Sequence, residues 1–396
     1  MKPLTMLKTM ITQRYLRALI LFLAMGAVIN LLLSSSDQPT NNRFGIFSGD
    51  SSQGGLGGNG PARCSSQDHI MFLKTHKCAS STVQNIFLRY GFKHNLSFAL
   101  PEIGNYLGNP KFFTAKLVPR SLLPPSGKVD IFAVHTRLNV PEHSMILHND
   151  SRWVTIVRDP STLYESLYNF FHMGETFGIE LSQYNTQSMK RLESLPRWGG
   201  KFGKNQMLFD LGYPDNMSVP ELSAAIDSLD KRFDLVMVSE FMDESLVLLR
   251  HLLCWSLHDV VYFTKNARRE EVKPTLRPEV LSALSALNRA DVLLYDHFLA
   301  KHRQAVEDFG AKRMADEVSA LRSLRDEYFQ DCGTHEVQGR DKSLKFKEYS
   351  GLVSAYVSSN NSNQNCWLLT LPELHLLATL RSRQRESLLK LNESSS

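Results

Sequence analysis

The stretch that most restricts how this chain can fold is the ten residues from Leu73 to Thr82, Leu-Lys-Thr-His-Lys-Cys-Ala-Ser-Ser-Thr. It follows an apolar run, His69-Ile70-Met71-Phe72, and leads into Val83, Ile86, Phe87 and Tyr90, whose spacing of three and four marks one face of a helix. The segment therefore joins a strand to a helix. A turn in that place aims backbone N–H groups and the positive end of the helix dipole at one spot, which makes an anion site. Lys77 adds a cation there, and Ser80, Ser81 and Thr82 add hydroxyl donors. Such a cradle suits a phosphate or a sulfate. The glycines of the nucleoside-triphosphate loop G-x-x-x-x-G-K-[ST] are missing, so an ATP site, and a kinase with it, is disfavoured.

Further apolar runs at Val129–Val134, Trp153–Val157 and Leu235–Val238 read, with Ile70–Leu73, as buried strands of a parallel sheet. Helical patterns such as Leu163–Phe171 and Glu244–Cys254 fall between and after them. Strands alternating with helices predict a doubly wound α/β sheet, in which ligands bind beyond the carboxyl ends of the strands. After Pro278 the pattern is mainly helical as far as Asp331, with a break at Gly310. From Gly333 the tail is polar and irregular until Leu368–Leu380, where Pro372 opens a last helix, and no chemistry is legible in it.

The strand exits hold the chemistry. Arg158 ends one strand, Asp159-Pro160 starts a helix, and Ser166 follows two turns on, so a guanidinium and a hydroxyl converge on one phosphate. His135 closes the Val129–Val134 run, where an imidazole with an ordinary pKa near ~6.5 is well placed as a base. His76, beside Lys77, is the second candidate base. His143 and His148 read as surface-loop residues. No metal-ligand cluster is visible in the sequence.

A chain of 396 residues with 42% hydrophobic and 21% charged residues is globular, and a net charge of +5 is mild. Lys2, Lys8, Arg14 and Arg17 precede an apolar segment. Residues 1–17 therefore read as a cytoplasmic tail, 18–33 as an uncleaved signal anchor, and the Ser-, Asn- and Gly-rich 34–63 as a flexible stem, which places the folded part in a lumen. Sequons at Asn95, Asn149, Asn216, Asn360 and Asn392 agree with that address. Cys64, Cys78, Cys254, Cys332 and Cys366 permit two bridges and leave one thiol over, with the connectivity open.

Lys-x-Ala-Ser-Ser-Thr after a strand resembles the 5′-phosphosulfate loop of Golgi carbohydrate sulfotransferases, and Lys-Thr-His-Lys-x-Ala-Ser-Ser-Thr is similar to the version in the galactose 3-O-sulfotransferase family. Arg158-Asp159-Pro160 with Ser166 resembles the 3′-phosphate site of the same proteins. Phe209–Tyr213, Phe241–Leu249 and Cys254-Trp255 through Arg269 extend the likeness across 69–331. The resemblance implies a P-loop-NTPase-like sulfotransferase fold, a central parallel sheet flanked by helices with a helical C-terminal part. It implies a catalytic domain at 64–332 followed by an extension at 333–396.

The implied donor is 3′-phosphoadenosine-5′-phosphosulfate, without a metal. The implied acceptor is the 3-hydroxyl of a terminal β-galactose on a glycolipid such as galactosylceramide or lactosylceramide, with glycoprotein glycans as the alternative. The implied setting is the Golgi membrane, single-pass type II, with no nucleic acid partner and a homodimer allowed. By resemblance, His135 or His76 takes the proton and Lys77 stabilises the departing phosphate. Lys77, Cys78, Ala79, Ser80, Ser81 and Thr82 hold the 5′-phosphate, and Arg158 and Ser166 hold the 3′-phosphate. A rival reading, a non-catalytic lumenal glycan-binding protein, is opposed by the intact set Lys77, His135, Arg158 and Ser166. Cys78 stands where the family leads one to expect Thr; beside Lys77 at a helix start, its thiol is expected to be acidic and reactive.

Overall fold

The computed structural model describes residues 64–181, 186–268 and 276–394. The expected tail, anchor and stem at 1–63 lie outside the described residues, and among those described no helix is long and apolar enough to cross a membrane. Four strands form one parallel sheet: β1 (Ile70–Leu73), β2 (Ile131–Phe132), β3 (Arg152–Val157) and β4 (Leu235–Val238), in the spatial order β2-β1-β3-β4. Ile70 pairs with both Ile131 and Arg152, and Val154 pairs with Leu235. All four residues of β1 are fully buried, as befits an inner strand covered on both faces.

The expected strand over Val129–Val134 shortens to two residues. Asp130 O still accepts from Ile70 N–H of β1 at 2.7 Å, but the outer flanks bond elsewhere: Val129 N–H donates to Ile146 O at 2.8 Å, and His135 N–H to Asn105 O at 2.9 Å. A helix follows each of the other strands, at Ser80–Lys93, Pro160–Phe170 and Met242–Leu253. The second begins as the sequence dictates, with Pro160 in the first turn and the Asp159 carboxylate accepting from Thr162 N–H at 3.0 Å. Gly310 separates the Arg289–Phe309 and Ala311–Asp331 helices, and Pro372 precedes the Glu373–Ser394 helix.

The tail corrects the expectation of irregularity. It forms an antiparallel hairpin of β5 (Thr334–Gln338) and β6 (Ser354–Ser358), then the Gln364–Thr370 and Glu373–Ser394 helices. It is fastened to the sheet-bearing part by several contacts. Gln384 Oε1 accepts from Phe98 N–H at 2.8 Å and its Nε2 donates to Phe98 O at 2.9 Å, while Asn85 Nδ2 donates to Leu368 O at 3.1 Å. Disulfides join Cys332 to Cys366 and Cys64 to Cys254, leaving Cys78 free.

His143 is a second correction. It lies in the Val140–Ile146 helix, which Pro141 helps to start, and is fully buried against Phe113 and Phe132 with centroids 4.1 and 4.8 Å away. Burial pulls its pKa down to about 4. His148 is half-buried and stacks on His69 at 3.9 Å.

Candidate active site

A cavity of about 490 Å³ opens at the carboxyl ends of the parallel strands. Its floor is the loop between β1 and the Ser80–Lys93 helix. Lys77 and Ala79 there have φ of 59° and 58°, left-handed values that nucleotide loops usually give to glycine. Ala79 sits at the helix start and offers no capping side chain; Thr82 N–H donates back to Ala79 O at 3.0 Å, and the N–H groups of Ser80 and Ser81 face the start of the helix, where an anion binds. The hydroxyls divide. Ser80 Oγ donates to Thr75 O at 2.5 Å and Thr82 Oγ1 accepts from Lys265 N–H at 2.8 Å, so both are committed to the fold, whereas Ser81 Oγ donates to Glu373 at 3.0 Å within the cavity wall.

His76 and His135 stand side by side on one wall. His135 Nδ1 is 3.1 Å from Lys74 O, an acceptor only, so Nδ1 carries the proton and Nε2 accepts from Lys74 Nζ at 3.0 Å. Burial, followed by the nearby Lys74 charge, holds His135 well below its usual pKa, so it is neutral at physiological pH. His76 Nδ1 lies 3.0 and 2.9 Å from the two oxygens of Asp210, which also accepts from His76 N–H at 2.7 Å and from Gln206 Nε2 at 2.9 Å. His76 Nε2 lies 3.0 Å from the Tyr106 hydroxyl. Asp210 is fully buried, and the turn after it requires Gly212. At φ +91° that residue lies so near Leu138 O that an added Cβ would be 2.5 Å away.

Other residues lining the cavity are cationic. Arg158 spans from β3 to the loop, with Nη1 donating to Lys77 O at 2.8 Å and Nε to Thr162 Oγ1 at 3.1 Å. Ser166, Phe170, Lys265 and Arg268 line the same cavity. Lys77 Nζ sits 3.8 Å above the Phe170 ring. Burial, helped by Arg158 and Arg268, lowers the Lys77 ammonium to about 7. Lys265 Nζ is buried with no hydrogen-bond partner among the described residues.

The tail supplies what the sequence concealed. Glu373, at the start of the last helix, accepts from Lys74 Nζ at 2.7 and 2.8 Å and from Asn105 Nδ2 at 2.7 Å, and Lys347, Glu348 and Tyr349 join it in lining the cavity. Thus Lys77, Ala79, Ser80, Ser81, His76, His135, Arg158 and Ser166 meet at one cavity, while Cys78 and Thr82 do not line it. The expected acidic thiol is contradicted: Cys78 is fully buried and its Sγ points to His76 O, so burial pushes its pKa up.

A parallel α/β sheet with a strand-to-helix anion loop, Arg158 bonded to that loop, and Ser166 and paired imidazoles lining the same cavity has the architecture of a nucleotide-dependent sulfotransferase. The chain belongs to the galactose-3-O-sulfotransferase family, whose model matches residues 1–384. It is 38% identical to human galactosylceramide sulfotransferase over 290 residues, covering 70% of this chain and 68% of that one. Identity to human galactose-3-O-sulfotransferase 2 is 33% over 339 residues, 80% of this chain and 83% of the relative. Mouse galactose-3-O-sulfotransferase 3 is 34% identical over 275 residues, 66% and 63% of the two chains.

Proposed function

We propose that the protein transfers a sulfuryl group from 3′-phosphoadenosine-5′-phosphosulfate to the 3-hydroxyl of a terminal β-galactose, carried by a glycolipid such as galactosylceramide. The observation that carries this reading is one cavity with an anion cradle, Lys77, Arg158 and Arg268, set beside the imidazoles of His76 and His135. The relative of highest identity reported above supports the lipid acceptor through its name. The buried Lys265 Nζ, which makes no hydrogen bond among the described residues, fits an anionic nucleotide, and a cavity of about 490 Å³ is of ligand size.

The donor supplies an activated sulfuryl group on a phosphate leaving group. Lys77 and the loop N–H groups of Ala79 to Ser81 hold the 5′-phosphate side, and Arg158 and Ser166, joined by Arg268, hold the 3′-phosphate. His76 takes the proton of the galactose hydroxyl. The Asp210 carboxylate stabilises the imidazolium that forms on it, whereas a proton on His135 would face the Lys74 ammonium at 3.0 Å. On this argument the base we propose is His76 in place of His135, the first choice on sequence. Positive charge comes from the chain itself, and no metal is required. We place the enzyme in the Golgi membrane through residues 18–33 and take the catalytic unit to run through the tail, because Glu373 completes the cavity wall.

The test is transfer of radiolabelled sulfate by the whole protein to galactosylceramide and to an O-glycan-type galactoside in parallel. Label on galactosylceramide is expected. Label on the glycan alone overturns the lipid acceptor, and label on neither, with the nucleotide bound, overturns the transfer.

A further inference from the structure

Tyr106 lies outside every stretch that the sequence marks for chemistry, yet its hydroxyl stands 3.0 Å from Nε2 of the proposed base, His76. The backbone on either side of it is pinned to the second imidazole: His135 N–H donates to Asn105 O at 2.9 Å and Leu107 N–H to His135 O at 2.8 Å. The Tyr106 ring stacks on both imidazoles, its centroid 4.9 Å from that of His135 and 5.9 Å from that of His76, and Lys201 Nζ sits 5.5 Å over it. All three rings line the cavity. Burial, followed by the charges of Asp210 and Glu373, raises the Tyr106 pKa, so the hydroxyl keeps its proton at physiological pH.

With His76 as the base, Nδ1 donates to Asp210 and Nε2 accepts, so Tyr106 is the donor in their contact. The free protein thus holds a donor and an acceptor 3.0 Å apart that satisfy one another at the cavity wall. An acceptor molecule with a lone hydroxyl would occupy Nε2 and strand the Tyr106 O–H, a costly outcome for a donor shielded from water. A vicinal diol takes both groups. One hydroxyl donates to Nε2 while its neighbour accepts from Tyr106, whose O–H need only turn about its C–O bond, and a gauche diol spaces its oxygens much as the protein spaces these two atoms. We infer that Tyr106 reads the hydroxyl next to the one that is sulfated, so that the site selects a vicinal diol over a lone hydroxyl. The inference rests on His76 being the base, as proposed above. In a β-galactoside the 3-hydroxyl has two such neighbours, the 2- and the 4-hydroxyl.

The test is a cycle between one side chain and one substrate hydroxyl. Whole protein, wild type and Tyr106→Phe, is given labelled donor with a short-chain β-galactoside and with its 2-deoxy and 4-deoxy forms. Tyr106→Phe keeps the ring and should lower kcat/KM for the parent sugar about tenfold, with affinity for 3′-phosphoadenosine-5′-phosphate unchanged. One deoxy sugar should cost the wild type a similar factor, and on that sugar Tyr106→Phe should add less than about twofold; on the other, the full loss should recur. The acid limb of the kcat/KM profile should move to higher pH in the variant, because Nε2 loses a donor that favours its neutral form. A ring that served only packing would leave that limb in place. Equal losses on all three sugars, or an unmoved acid limb, would overturn the inference while leaving the transferase reading intact. If the variant does not bind nucleotide, the wild type still decides: loss on one deoxy sugar upholds the diol, and two deoxy sugars turned over like the parent refute it. A wild type inactive on every galactoside, or a fully active His76→Gln, would overturn the function or the base proposed above, and this inference with it.

Discussion

The imidazoles of His76 and His135 stack with centroids 4.1 Å apart and planes 10° apart, yet they face opposite charges. His76 backs onto the Asp210 carboxylate and His135 onto the Lys74 ammonium. Two adjacent imidazolium rings would repel each other, and the base proposed above is the one that backs onto a carboxylate.

Replacing His76 by Gln should therefore lower kcat by about 10²–10⁴-fold, the usual worth of a positioned base, and leave nucleotide affinity nearly unchanged. His135→Gln keeps an acceptor for Lys74 and should retain kcat within about tenfold. Steady-state kinetics with parallel nucleotide titration separates these outcomes. A dead His135→Gln beside an active His76→Gln would return the base to His135.

Lys77 gives a pH dependence. Its pKa of about 7 in the free protein means that it carries charge below that pH and loses it above. A bound anion holds the proton on, so affinity for 3′-phosphoadenosine-5′-phosphate should fall as pH rises above 7, by up to ~10-fold per unit until the bound-state pKa is reached. Calorimetric titration from pH 6 to 9 reads it directly. Lys77→Arg stays charged throughout and should flatten the slope; a slope unchanged by that substitution would remove Lys77 from the anion site.

The features legible in the sequence are those encoded locally. The apolar runs and the 3.6-residue spacing after Thr82 gave β1 and its helix, and Arg158, Ser166 and His135 could be placed because each follows a strand. Glu373 was illegible for the opposite reason. It is 299 residues from Lys74, and nothing in a polar tail announces a partner across that separation. Asp210 could be read only as part of a matching stretch, since its pairing with His76, 134 positions away, depends on how the intervening chain folds. His143 and Cys78 were misplaced because burial is a tertiary property: polarity and a neighbouring lysine suggested exposure where packing excludes water.

The Lys74–Glu373 contact should show in stability. Burial alone would raise the Glu373 pKa, but the Lys74 charge and the hydrogen bonds from Asn105, Lys74 and Ser81 bring it below 4.5. A depressed carboxylate contributes stability above its unfolded pKa and loses it as pH falls through the folded value. Glu373→Gln strands a buried ammonium and should cost about 3 kcal/mol at pH 7 in urea unfolding of the whole protein. The wild type should lose this advantage on acidification below about pH 4.5. A variant as stable as wild type at pH 7 would show that the pair does not hold the tail to the loop.

Cys78 yields the plainest reversal of what the sequence suggests. A thiol beside a lysine at a helix start would be alkylated quickly and protected by nucleotide. In the fold it is fully buried, its Sγ faces a carbonyl, and burial raises its pKa, so little thiolate forms and no reagent reaches it. Iodoacetamide should leave the native protein active and Cys78 unlabelled, with or without nucleotide. Guanidinium without reductant should then expose this one thiol, because Cys64, Cys254, Cys332 and Cys366 are bridged. Peptide mass mapping distinguishes the cases, and native labelling of Cys78 that nucleotide blocks would mean that the loop opens in solution far enough to bring the thiol into the cavity.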